Sequence, residues 1–293
     1  MAAKTRFRGS FTALVTPFTA SGAVDEVAFR RLARRQVEAG IHILVPCGTT
    51  GETPTLTADE KRRLVEICVE ETKGKARVLA GAGGYHTAEI IHAISVYAEL
   101  GVDGILSVTP YYNRPTQEGL FQHYTAIAES TSLPIVLYNV PGRTGCNIEP
   151  ATVVRLAAIE NIVGVKEASG NISQMADICQ RVPTGFVVLS GDDAITLPLM
   201  ALGGGGIISV CSNEVPAEMV QMVEAVERND WTAARAMHNR LLPLMQVNFC
   251  ESSPGPVKYA AELLGLSTAD MRLPLCEIAE SSKAAVKSAL TGA

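Results

Sequence analysis

Pro134-Ile-Val-Leu-Tyr138, the turn Asn139-Val-Pro-Gly-Arg-Thr-Gly145 and, beyond a helical stretch, Ile162-Val-Gly-Val-Lys166 together hold the unit from which most of this chain is built. The unit is a short β-rich apolar run, a turn rich in Gly, Pro, Ser and Thr, and an amphipathic helical segment. Outward from it, the same pattern places further strands at Phe11 to Val15, Ile43 to Pro46, Arg77 to Ala80, Gly104 to Val108, Phe186 to Ser190 and Gly206 to Val210. Strand runs that are apolar throughout and alternate with helices imply a parallel sheet covered on its outer side. Eight such units in roughly 225 residues fit an α/β fold of the (β/α)8 TIM-barrel type, whose usual size is about 250 residues. A doubly wound open sheet is the alternative.

Helix starts are legible between the strands. Asp25-Glu26 precedes an apolar-periodic stretch through Val37, and Thr57-Ala-Asp-Glu60 spells a capping box ahead of Leu64, Ile67 and Cys68. After Glu227 the strand signal stops, and Trp231 to Val247, Pro256 to Leu264 and Glu277 to Leu290 all read as helix. The expected organisation is a catalytic barrel over residues 1–228 and a C-terminal helical extension over 229–293. No Ser-, Pro- or charge-rich linker separates them, so the extension is expected to pack on the barrel.

Bulk properties exclude several function classes. With 47% hydrophobic and 19% charged residues over 293 positions, the chain can bury a large core. A net charge of -5 is the opposite of the basic footprint a phosphate backbone requires, so nucleic acid is not an expected partner. Lys4, Arg6 and Arg8 are not followed by an apolar stretch of secretory length, and no apolar run approaches a membrane span. A cytoplasmic protein is expected. The seven cysteines are scattered and form no C-x-x-C pair, which argues for a reducing compartment and against both a disulfide framework and a zinc site. The five histidines are likewise scattered, so no metal is expected.

In a barrel of this type the C-terminal ends of the strands surround the site. Those ends carry Thr16-Pro17, Gly48-Thr-Thr-Gly-Glu52, Pro110-Tyr-Tyr-Asn113, Tyr138-Asn139 with Arg143, Lys166-Glu167 and Gly191-Asp-Asp193. Lys166 is the decisive residue. Lysines 4, 61, 73, 75, 258, 283 and 287 read as solvated, whereas Lys166 ends a run that should be buried. Desolvation disfavours an ammonium, and a neutral amine is what attack on a carbonyl requires. The alternatives are a lysine whose head snorkels to solvent and one that pairs with Glu167. Tyr138, at the end of the preceding strand, is placed to relay a proton to such an amine.

Other features weigh less. Gly48 to Glu52 can receive a carboxylate through glycine-freed N–H groups and two hydroxyls, or be an ordinary tight turn. Gly203-Gly-Gly-Gly206 lacks the Lys-Ser/Thr of a phosphate loop and reads as close packing, and Gly81-Ala-Gly-Gly84 lacks a third fingerprint glycine. Asp192 and Asp193 read as a turn and helix cap, His123 as packing, and Cys47 as a buried inert thiol.

At Gly48-Thr-Thr-Gly-Glu52, Pro110-Tyr-Tyr-Asn113, Tyr138-Asn-Val-Pro-Gly-Arg-Thr-Gly145, Val165-Lys-Glu-Ala-Ser169 and Ser190-Gly-Asp-Asp193 the chain resembles the dihydrodipicolinate synthase family. That family stands within the pyruvate-dependent class I aldolases, alongside N-acetylneuraminate lyase, and the resemblance runs over nearly the whole chain.

The resemblance implies a lyase without cofactor, in which Lys166 forms a Schiff base with pyruvate and the resulting enamine adds to L-aspartate 4-semialdehyde, on the route to diaminopimelate and lysine. It implies a proton relay of Tyr138, Thr49 and Tyr112, with Tyr112 lent by a neighbouring subunit of a homotetramer arranged as a dimer of dimers. Thr49 and Thr50 would hold the pyruvate carboxylate, Arg143 the semialdehyde carboxylate, and Gly191 and Ile208 would contribute backbone carbonyls. An effector site would include Tyr85, Glu89 and Tyr111. Ala58 and Lys61 stand where lysine-inhibited bacterial members carry histidines, and Tyr85 replaces an asparagine, so strong feedback inhibition is not expected. Two other readings are a Schiff-base lyase or dehydratase acting on a sugar acid or hydroxy-oxo acid, and an oxo-acid-binding protein without turnover.

Overall fold

A computed structural model describes residues 7–293. Its strands are β1 (Gly9–Ala13), β2 (Ile43–Val45), β3 (Arg77–Gly81), β4 (Gly104–Val108), β5 (Ile135–Asn139), β6 (Ile162–Glu167), β7 (Val187–Ser190) and β8 (Gly206–Ser209). They join in sequence order into a closed barrel, and the pairings from β1–β2 through β7–β8 are parallel. The expected (β/α)8 barrel is the observed fold. The intervening helices are α1 (Glu26–Glu38), α2 (Ala58–Thr72), α3 (Thr87–Glu99), α4 (Gln117–Glu129), α5 (Pro141–Thr144), α6 (Pro150–Leu156), α7 (Ile172–Arg181) and α8 (Thr196–Ala201). After β8 come α9 (Pro216–Glu227), α10 (Trp231–Val247), α11 (Gly255–Leu263) and α12 (Glu280–Thr291).

Contacts group the described residues into two compact units, 7–9 with 79–208 and 10–78 with 209–293. In the second unit, α1 starts on Asp25, whose carboxylate accepts from the Ala28 N–H at 2.9 Å, and buries Phe29, Leu32 and Ala33 on one face. The expected capping box of α2 is complete. Thr57 Oγ1 accepts from the Glu60 N–H, and the Glu60 carboxylate accepts from the Thr57 N–H. Val15, Leu32, Val210 and Val257 form one buried cluster, and Ala260, Ile278 and Val286 form another that ties α11 to α12.

The first strand begins and ends two residues earlier than its apolar run. The Leu14 N–H still donates to the Val45 carbonyl, but the Val15 N–H donates to the Asn213 side chain, so the ladder stops there although the side chain stays buried. Burial of an apolar residue and membership of a ladder are separate properties, and periodicity reports only the first.

In the first unit, the glycine run before β8 serves close packing, as expected. Gly206 has φ +132°, and a Cβ there would lie 2.0 Å from the Gly9 carbonyl oxygen. The Gly9 N–H donates to the Gly205 carbonyl at 2.8 Å.

Candidate active site

Lys166 lies on β6 with 4% of its surface exposed, between Tyr138 on β5 and Leu189 on β7 as Cα partners. Its Nζ stands 4.3 Å from the centroid of the Tyr138 ring. The snorkelling alternative therefore fails. Pairing with Glu167 fails too, because successive strand residues point to opposite faces and the Glu167 carboxylate is taken up elsewhere. It accepts from the Ser169 N–H at 2.7 Å, Asn139 Nδ2 at 2.9 Å and Gln174 Nε2 at 3.1 Å.

A register shift sets the lysine's partner. Ile135 faces Ile162, but Val136 faces Gly164, so an extra residue in β6 brings Tyr138 opposite Lys166 rather than Val165. Gly164 permits the approach of β7, since a Cβ there would stand 2.6 Å from the Val187 carbonyl oxygen. Behind the two strand ends lies a buried amide network that residue-by-residue reading passed over. Asn139 Nδ2 also donates to Asn147 Oδ1 at 2.8 Å, Asn139 Oδ1 accepts from the Ile148 N–H at 3.0 Å, and Asn147 and Gln174 exchange side-chain hydrogen bonds. β5 extends one residue beyond the apolar run, to Asn139, which the sequence pattern assigns to the turn because Asn is poor in β-propensity.

Gly191, after β7, has no room for a side chain. A Cβ there would meet Ala168 Cβ at 2.6 Å and Lys166 Cε at 3.0 Å. Ile208 is fully buried on β8. Asp192 caps the short turn Asp193–Ile195 by accepting from the Ala194 N–H, as expected. Arg143 is exposed on α5, a turn held by Thr144, whose hydroxyl bonds the Val140 and Cys146 carbonyls.

Tyr112 is 92% exposed and sits at φ +64°, a left-handed conformation unusual for an aromatic residue. Its neighbour Tyr111 packs edge-on against Tyr85 with ring centroids 5.1 Å apart, and burial raises the Tyr111 phenol, with smaller contributions from Tyr85 and Glu89. Glu89 is exposed in the first turn of α3.

In the second unit, Thr49 is half-buried and Thr50 buried in the turn after β2. The loop differs from expectation in how it is built. Positive φ falls on Cys47 (58°) and Glu52 (54°), not on Gly48 or Gly51. Gly51 is required by crowding, because a Cβ there would lie 3.1 Å from the Leu14 carbonyl oxygen. The Gly51 and Glu52 N–H groups donate to the Gly48 and Thr49 carbonyls. Those two amides are thus taken up within the turn itself. Burial pushes the Cys47 thiol up to about 12, which fits an inert residue. His123 is buried against Thr87, and desolvation pulls it down to about 4.

One expectation is corrected outright. Lys258, read as solvated, is fully buried on α11 and forms an ion pair with Glu52 at 2.6 Å. The signal for burial was its setting among Pro256, Val257, Ala260 and Ala261, which the exposed Glu262 four residues on offset.

Residues 6–293 match the model of the dihydrodipicolinate synthetase family. The chain belongs to that family. A dihydrodipicolinate synthetase relative, the 4-hydroxy-tetrahydrodipicolinate synthase of Koribacter versatilis, is 51% identical over 280 residues, 95% of this chain and 93% of its own. The enzyme of that name from Syntrophus aciditrophicus is 50% identical over 281 residues, 96% of each chain. The crystal structure of dihydrodipicolinate synthase from Aquifex aeolicus superposes with a TM-score of 0.95 at 41% identity, covering 97% of both chains. The dihydrodipicolinate synthetase family is a family of lyases, and among the described residues no helix is long and apolar enough to cross a membrane.

Proposed function

We propose that this chain is a 4-hydroxy-tetrahydrodipicolinate synthase, a lyase condensing pyruvate with L-aspartate 4-semialdehyde through a Schiff base on Lys166. The observation that carries this reading is the buried Lys166 amine lying 4.3 Å from the Tyr138 ring, in a chain of this family. The amine attacks C2 of pyruvate, the carbinolamine loses water, and the imine loses a C3 proton to become an enamine. C3 then bonds to the aldehyde carbon. The semialdehyde's own amine closes on C2 and displaces Lys166, which releases the heterocycle and restores the free lysine. The imine is itself the electron sink, so the chemistry requires no cofactor.

Each remaining role in this reading has a physical reason. Tyr138, with Thr49 and Tyr112, moves protons onto the departing hydroxide and the new alkoxide. Tyr112 acts in a neighbouring subunit of a homotetramer, which suits an exposed tyrosine held in a strained backbone. Thr49 and Thr50 hold the pyruvate carboxylate. The Gly191 and Ile208 carbonyls line the floor. The Tyr85, Glu89 and Tyr111 corner forms a weak effector site for lysine, with Tyr85 packed edge-on against Tyr111. The enzyme works in the cytoplasm.

Arg143 selects the second substrate, since a guanidinium grips a carboxylate through paired hydrogen bonds. Arg143→Ala is expected to raise KM for the semialdehyde about 10- to 100-fold, the worth of one charge-assisted contact. Borohydride trapping of pyruvate on Lys166 should stay unchanged. Equal losses in both measurements would remove Arg143 from this role, and turnover of a sugar-acid aldehyde in place of the semialdehyde would favour the related lyases. Gly191→Ala should slow imine formation about 100-fold, because its methyl group would displace the lysine stem by a fraction of an ångström or more. A single-turnover trapping rate equal to the parent's would show that the stem has slack.

A further inference from the structure

The Glu52–Lys258 ion pair has no exposed side-chain surface. Lys258 Nζ also donates to the Thr16 carbonyl at 2.9 Å and stands 4.4 Å from the centroid of the Phe18 ring. Glu52 Oε2 accepts from the Arg272 N–H at 3.2 Å. The Arg272 guanidinium covers the same Phe18 ring at 4.5 Å and donates to the Gly22 and Thr55 carbonyls and to the Glu60 carboxylate. Desolvation lowers the Lys258 ammonium and Glu52 opposes it. A buried ion pair is a poor source of net stability, because apolar side chains of similar volume do as well. What it does supply is a single geometry.

That geometry is imposed where the backbone resists it. Glu52 is a non-glycine residue at φ +54°, and it terminates the Gly48–Gly51 turn. Strained residues persist where their surroundings over-determine them, and they gather at ligand clamps. The same end of the turn is fixed a second time by Thr16, whose hydroxyl donates to the Gly51 carbonyl at 2.7 Å. Thr16 thus joins both halves, with its side chain on the loop and its carbonyl on Lys258. Thr49 and Thr50 immediately precede these two anchored residues, Gly51 and Glu52.

We propose that Lys258, acting through Glu52, is a positioning residue that holds the Thr49-Thr50 turn in the shape that receives the pyruvate carboxylate. This rests on the reading of Thr49 and Thr50 given above. Loss of the lysine would release Glu52 and with it the turn, so the main effect should fall on pyruvate binding, with a smaller one on turnover through Thr49.

The test uses the full-length enzyme and the pyruvate concentration that gives half-maximal borohydride trapping on Lys166. Lys258→Met is expected to raise that concentration at least about tenfold, with a smaller fall in kcat at saturating pyruvate, the signature of an effect mainly on ground-state binding. Glu52→Gln keeps the size and one acceptor, is expected to fold, and should raise it about three- to tenfold. It decides the matter alone if Lys258→Met does not fold. Folded variants that melt lower yet trap pyruvate at the parent's half-saturation overturn the proposal and leave the pair a purely structural device. Absence of trapping in the parent would instead defeat the Schiff-base reading, a different failure.

Discussion

Lys166→Ala is expected to lower kcat at least about 10⁴-fold, the scale on which loss of a covalent nucleophile acts, and to abolish the pyruvate adduct seen by mass spectrometry after borohydride. No neighbour can take over. The adjacent carboxylate, Glu167, is turned to the other face and held by three donors. The second buried lysine, Lys258, is engaged with Glu52 and the Thr16 carbonyl. Residual activity within about a hundredfold of the parent, or an adduct that moves to another lysine, would overturn the assignment.

Tyr138→Phe should cost about 10²- to 10³-fold in kcat, the usual worth of a positioned acid-base group. The substitution is clean because the ring carries the packing. Phe would keep the contact with the Lys166 amine and the β5–β6 register, and would lose only the hydroxyl. Trapping after long incubation should therefore reach the parent's extent while its rate falls. A variant that keeps more than about a tenth of the parent's rate would assign proton transfer to another group.

Much of this was legible beforehand, for identifiable reasons. Strand runs buried on both faces announce themselves by continuous apolarity, and all eight were found. Lys166 stood out because one lysine at the end of such a run is anomalous. Lys258 was missed because its partner lies 206 residues away, and a lysine on a helix reads as surface until the helix's other face is known. The bulge at Val163 was hidden for a related reason. Register is a property of two strands, and the one glycine beside the bulge, Gly164, reports the approach of β7 rather than the pairing with β5. The strained residues of the Thr49 loop carried no glycine signal at all, since Cys47 and Glu52 adopt the left-handed turns themselves.

The Asn139–Asn147–Glu167–Gln174 lattice has an evolutionary corollary. It braces the nucleophile's strand from behind, while Arg143 sits on the short α5 turn between Asn139 and Asn147. If Arg143 has the role proposed for it, selection can exchange that cassette, and with it the aldehyde accepted, without retuning the amine. One scaffold can in this way host diverging specificities around an unchanged first chemical step.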